Sequence, residues 1–261
     1  MKNELLHIGP FTIYGYGLMI AVGVIAAYFT AEYRAKKHGL DPDRVFGLVV
    51  CAVVGGMLGA KLLYFLTEFP AILKDPSLLL DISNGFVVYG GIIGGILCCL
   101  LYCRKKGMVF LKYFDLVMPS VALAQGFGRI GCFLAGCCYG KETESPLGIV
   151  FHESAYAPNG VKLIPTQLIS SGLDFLHFAV LIWLARRVKA DGQVAGCYLI
   201  FYSAGRFIVE FFRGDLIRGS VGILSTSQFI SIFTCLAGVV LVICQGRKQK
   251  LRERTVSEEK E

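Results

Sequence analysis

Apolar stretches of about twenty residues alternate with short polar breaks along the whole chain. They cover roughly 11–32, 45–66, 86–103, 113–135, 166–185, 193–212 and 220–244. Each approaches the roughly 20 residues that a helix needs to cross a bilayer. The pattern predicts an all-α polytopic membrane protein with about seven transmembrane helices, folded as one integral-membrane domain over 1–261. The first run closes on Arg34, Lys36 and Lys37, and Lys2 is its only leading base, so it reads as a span and not as a cleaved signal. The breaks differ in kind. Residues 67–84 carry Pro70, Pro76 and several acids, and 136–165 carry Pro146, Pro158, Asn159, Gly160 and Pro165, the mark of an irregular loop region. Residues 246–261 form a basic and polar tail.

Charge placement predicts the orientation. Seventeen of the 26 Lys and Arg residues fall after the first, third, fifth and seventh runs or in the tail, and six fall on the other side. Lys61, Arg129 and Arg206 lie within runs. The positive-inside rule therefore expects the N-terminus outside, the C-terminus in the cytoplasm and the 136–165 loop extracytoplasmic. Composition fits this class: 55% of residues are hydrophobic, 17% are charged and mean hydropathy is +0.62. The net charge of +7 would suggest nucleic acid in a soluble chain. Here anionic headgroups and topology account for it, and no nucleic-acid partner is expected. The ten cysteines lie mostly in apolar runs and read as small packing residues, Cys132, Cys137 and Cys138 included. With His7, His38, His152 and His177 scattered, neither a metal nor a cofactor is expected.

Three groups of residues point to chemistry. Arg129 stands in Gly128-Arg129-Ile130-Gly131, inside an apolar run. A guanidinium at membrane depth costs roughly 2.5–3.5 kcal/mol on insertion scales, so it normally faces a water-filled cavity, an anion or a carboxylate, or snorkels to the interface. The flanking glycines leave its head accessible, which favours a lipid phosphate. Arg206, Glu210 and Arg213, spaced four and three apart, share one helix face. Two arginines with one carboxylate leave positive charge that suits a phosphodiester, although a structural ion pair would place them in the same way. Tyr14, Tyr16 and Tyr89 sit near run ends, where tyrosine commonly marks the interface. Gln167, in Pro165-Thr166-Gln167, opens a run and could reach a headgroup. Gly55/Gly59, Gly90/Gly94 and Gly91/Gly95 have the spacing of close helix contacts.

Together these pieces resemble bacterial prolipoprotein diacylglyceryl transferases. The resemblance runs from Ile8-Gly9-Pro10 through Tyr14-Gly-Tyr16-Gly, Phe86-Val-Val-Tyr89-Gly90-Gly91, Gly128-Arg129-Ile-Gly131, Gly140 and Pro165-Thr166-Gln167 to Gly205-Arg206-Phe-Ile-Val-Glu210-Phe-Phe-Arg213. It implies a multi-pass enzyme of the bacterial cytoplasmic (inner) membrane. Such an enzyme moves the diacylglyceryl group of phosphatidylglycerol to the lipobox cysteine of a prolipoprotein signal peptide, forming a thioether and releasing glycerol phosphate. The implied catalytic residues are Arg129, Arg206, Glu210, Tyr16 and Tyr89. The implied phosphatidylglycerol contacts are Arg129, Arg206, Gly140, Gly90, Gly91, Cys132 and Gln167. Three positions depart from the family pattern: Tyr89 replaces the usual histidine, Cys132 the asparagine and Cys137 the glutamate. These departures keep open a divergent member using another lipid or acceptor, and the arginines within runs keep open an anion transporter or channel that they would line.

Overall fold

The computed structural model describes residues 4–8, 11–79, 85–215 and 219–258. Gly9 and Pro10 of the resemblance, and Lys2, Arg218 and Lys260 of the charge count, lie outside them. In chain order the elements are β1 (Glu4–Ile8), β2 (Phe11–Tyr14), α1 (Gly15–Lys37), α2 (Pro42–Thr67), the short α3 (Phe69–Lys74), a 3-10 turn (Pro76–Leu79), α4 (Val88–Lys105), α5 (Phe110–Ala135), β3 (Ile149–Val150), β4 (Lys162–Leu163), α6 (Thr166–Leu184), α7 (Gln193–Glu210), β5 (Ser220–Val221), β6 (Leu224–Ser225) and α8 (Thr226–Glu258). Among the described residues, α1, α2, α4, α5, α6 and α8 are long and apolar enough to cross a membrane. The count is thus six where the run pattern expected about seven. The helix short of the mark is α7, with Gln193, Arg206 and Glu210 in its 18 residues.

Three local expectations change. The polar lead pairs as a β1–β2 hairpin, with Ile8 opposite Phe11. The proline-bearing 67–84 break holds α3 and the 3-10 turn. The basic tail is the end of α8, helical through Glu258. Its 33 residues would reach about 50 Å, well past a hydrocarbon core of about 30 Å, so Arg247 to Arg254 extend beyond it on the same rod.

The chain divides into two compact units, Ala31–Tyr113 and Met1–Thr30 with Phe114–Glu261. In the first, α2 and α4 pack through their glycines. A Cβ on Gly59 would strike the backbone oxygen of Gly90, one on Gly90 would strike that of Gly59, and one on Gly94 would strike that of Gly55. Gly91 lies 3.2 Å, as a built Cβ, from the Gly56 oxygen. The absent side chains bring the two backbones together, as the spacing predicts. Lys61, within α2, lies 5.2 Å from the Tyr64 and Phe65 ring centres and 5.3 Å from that of Phe86. Aromatic faces offset part of the cost of a cation at that depth.

In the second unit α5, α6 and α7 share a core of Met118, Ala122, Leu181, Val194, Ala195 and Tyr198. Polar contacts fix their register. Asp115 of α5 accepts from Gly192 N (2.7 Å) and Ala195 N (2.8 Å), capping α7 from another helix. A carboxylate there satisfies orphan amides and meets the positive end of the helix dipole, a contribution of about 1 kcal/mol. Tyr198 donates to Gln125 Oε1 (2.9 Å), and Ser171 of α6 donates to the Gly126 carbonyl (2.9 Å). The 136–165 region has its own small core of Phe151, Ala157 and Leu163, with Phe133 of α5 against it.

Candidate active site

The register of α5, α6 and α7 brings one face of each helix around a cavity of about 280 Å³. Arg129 follows Gln125 by one turn, as Tyr202 follows Tyr198. On α6, Asp174 and His177 follow Ser171 at three-residue steps. The cavity wall holds Arg129, Asp174, His177, Tyr202, Gly205 and Arg206 among apolar side chains. Gly126 permits this closeness, because a Cβ there would lie 2.6 Å from the Phe175 ring. Gly205 has nothing within 4 Å of a built Cβ, and Gly128, beside Arg129, is equally open.

Arg129 makes no hydrogen bond or ion pair among the described residues, although Asp174 shares its cavity and interacts with it electrostatically. Arg206 is held on two sides. Its Nη1 lies 2.7 Å from Glu210 Oε2, and its Nη2 donates to Ser227 Oγ of α8 (2.8 Å). The shared face of Arg206, Glu210 and Arg213 forms as the spacing predicts, with Arg213 Nε 4.0 Å from the same Glu210 oxygen. Its excess charge does not survive. Asp215 takes Arg213 with both oxygens, 2.9 Å from Nε and 2.6 Å from Nη2. Among the described residues two arginines then face two carboxylates, while Arg129 has only Asp174 as a charged neighbour on its cavity wall besides Arg206. Burial alone would lower the Arg213 pKa, but its hydrogen bonds to Asp215 and Cys138 and their charges outweigh that and raise it.

The glycine-rich signature ends in a specific turn. Gly136, at φ +74°, donates to the Phe133 carbonyl (3.1 Å), and Cys137 N donates to that of Cys132 (3.1 Å). This is the Schellman closure of α5, in which the residue after the glycine folds back on the one five earlier. Cys132 and Cys137 therefore meet. Cys138, at φ +61°, brings a third thiol, and the three sulfurs lie within 4.8 Å of one another. Pro165-Thr166-Gln167 secures this turn: Thr166 Oγ1 donates to the Cys138 carbonyl (2.9 Å) and Gln167 Nε2 to that of Cys137 (2.8 Å). Gln167 is 1% exposed, and its Oε1 has no hydrogen-bond partner among the described residues.

Gly140 sits where two stretches cross. It donates to the Ile164 carbonyl (3.1 Å), while Lys141 N meets Phe212 O (2.9 Å) and Gly214 N meets Tyr139 O (3.0 Å). A Cβ on Gly140 would strike the Ile164 oxygen, so close backbone approach requires glycine here. Tyr16, half-exposed at the start of α1, packs on Gly131 and is near enough to Cys132 and Arg129 to interact with both. Tyr89, Gly90 and Gly91 belong to α4 in the other unit, where Gly90 meets Gly59 and Tyr89 is exposed.

Asp174, His177, Tyr202 and Asp215 were not among the residues that the sequence singled out. Asp174 carried a usable signal, since an ionisable residue inside an apolar run marks a functional position by default. His177 is 8% exposed, stacks on Tyr198 with ring centres 5.1 Å apart, and leaves its Nε2 without a hydrogen-bond partner among the described residues.

The chain is similar to known proteins over almost its whole length. The family model described as prolipoprotein diacylglyceryl transferase matches residues 3–244. The chain is 51% identical over 250 residues to the phosphatidylglycerol–prolipoprotein diacylglyceryl transferase of Clostridium tetani, covering 95% of this chain and 100% of that protein. It is 48% identical over 253 residues to phosphatidylglycerol–prolipoprotein diacylglyceryl transferase 2 of Clostridium perfringens (95% and 98%), and 36% identical over 240 residues to the Finegoldia magna transferase (89% and 93%).

Proposed function

Because the chain belongs to the prolipoprotein diacylglyceryl transferase family, we propose that it transfers the diacylglyceryl group of phosphatidylglycerol to the lipobox cysteine of prolipoprotein signal peptides. It would work at the bacterial cytoplasmic membrane with its N-terminus outside, its C-terminus inside and α7 as a seventh span. The observation that carries the mechanism is the cavity in which Arg129 stands, without an ion-pair partner among the described residues, beside a braced Arg206.

The thiolate of the acceptor attacks the glycerol carbon that bears the phosphate. A C–S bond forms, the C–O bond breaks, and the electron pair leaves on the oxygen of glycerol phosphate. Charge grows on that leaving group, so donors already in place stabilise the transition state most. Arg129 supplies a planar fork for the phosphate oxygens. Arg206 adds a second donor, oriented by Glu210 and Ser227. Asp174 and His177 are the cavity groups able to accept the thiol's proton. Tyr16 and Tyr89 position the reactants. Gly90, Gly91, Gly140, Cys132 and Gln167 serve the lipid by shaping backbone and turn.

Purified protein incubated with phosphatidylglycerol vesicles and a lipobox peptide tests this reading. The peptide should gain the mass of one diacylglyceryl group, with glycerol phosphate released in equal amount. No gain with phosphatidylglycerol, or equal gain with any phospholipid, overturns it in favour of a divergent member.

A further inference from the structure

The transfer chemistry uses none of the three thiols at the end of α5 as nucleophile, proton acceptor or phosphate donor, and their geometry differs from ordinary packing. We infer that Cys132, Cys137 and Cys138 form a binding site for one soft, thiophilic metal ion of closed d shell, monovalent copper or zinc. This inference does not depend on which lipid or acceptor the protein uses.

The first ground is distance. Three sulfurs around one ion at about 2.3 Å stand roughly 4 Å apart. Here all three lie within 4.8 Å of one another, so each moves by a fraction of an ångström to close on an ion. The second is how the backbone sets them. The Schellman turn at Gly136 holds Cys137 over Cys132, and the Cys137 thiol points back at the Cys132 carbonyl, 3.7 Å away. Cys138 adopts φ +61°, which few side-chain-bearing residues do, and its carbonyl is pinned by Thr166. The turn is thus built before any ion arrives, which lowers the cost of ordering the ligands.

The third ground is the donor set. It is all sulfur, which selects soft ions and disfavours magnesium or calcium. An occupied site would clip 137–138 to α5 beside Gln167 and Arg129.

Cadmium(II) titration of the reduced full-length protein in detergent, read by sulfur-to-cadmium charge-transfer absorbance, tests the site. One equivalent should saturate that is lost in a Cys132→Ser/Cys137→Ser/Cys138→Ser variant. Affinity should fall at least tenfold in each single serine variant and stay unchanged in Cys51→Ser/Cys98→Ser. Copper(I) and zinc(II) should displace cadmium, and magnesium should not. Should the triple variant fail to fold, alkylation of the wild type followed by mass spectrometry decides. Cadmium should protect Cys132, Cys137 and Cys138 together. Equal stoichiometry with and without the three thiols, displacement by neither soft ion, or alkylation rates indifferent to cadmium would overturn the site.

Discussion

Asp215 grips Arg213 with both carboxylate oxygens, 2.9 Å from Nε and 2.6 Å from Nη2, two residues along a chain that crosses Gly140. The pair neutralises an arginine that sequence spacing assigns to the anion-binding face. It also braces the crossing of 139–141 with 212–214. In an Asp215→Asn variant the buried Arg213 loses its nearest carboxylate and keeps Glu210 at 4.0 Å. Loss of one member of a buried pair costs about 3–5 kcal/mol, reduced here because Asp215 is partly exposed. A lower thermal midpoint in detergent is expected, and an unchanged midpoint would show that the pair does not support the crossing.

Arg129→Lys keeps the charge and loses the fork. Removing one preorganised donor to a developing oxyanion costs about 100- to 1000-fold in kcat. A drop of that size with a normal melting curve is expected from the peptide mass assay. Near-native turnover would remove Arg129 from the transition state. Arg206→Ala should lose activity similarly and also loosen α8, because Ser227 loses its donor.

The cavity's own acid-base groups call for separate variants. Asp174→Asn removes the carboxylate at constant shape, and His177→Phe preserves the stack on Tyr198. The variant lacking the proton acceptor should lose kcat by about 100-fold or more and lose the acid limb of its pH–rate profile. If both variants keep the wild-type profile, the proton goes elsewhere.

Gly140→Ala separates a packing role from a lipid contact. A methyl group there collides with the Ile164 carbonyl. The expected result is a lower melting midpoint and poor folded yield. A well-folded variant with raised KM for phosphatidylglycerol alone would assign Gly140 to the lipid instead.

Orientation is tested by impermeant labelling of single reporter sites. Positions near Asp75 and Asn159 should label from outside, and those near Lys106 and Arg187 only after the membrane is opened. Lys106 and Asn159 found on one side would refute seven spans.

The helices were legible in the chain because the bilayer leaves the backbone few choices. Runs near twenty apolar residues must become helices, and their ends fell within a few residues of the expected ones in most cases. The glycine spacing of α2 and α4 was legible for a similar reason: a missing Cβ at every fourth position can only bring backbones together. Arg129 announced itself through the cost of its charge at that depth.

What the sequence could not fix was which partner each polar group meets. That Asp174 and His177 line one cavity with Arg129 depends on the register of α6 on α5, set by Ser171 on Gly126 across 45 positions. That Arg213 is neutralised depends on Asp215 folding back after α7. The N-terminal hairpin was hidden because its strands are only five and four residues long. The thiol trio lies between these cases. Gly136 is a local stop signal that brings Cys137 onto Cys132, so half of it could be read directly, but Cys138 needs the Thr166 clasp from another helix. Hydrophobic periodicity and charge cost are properties of one segment, whereas the pairing of buried polar groups is decided by which segments pack, and only the folded chain specifies that.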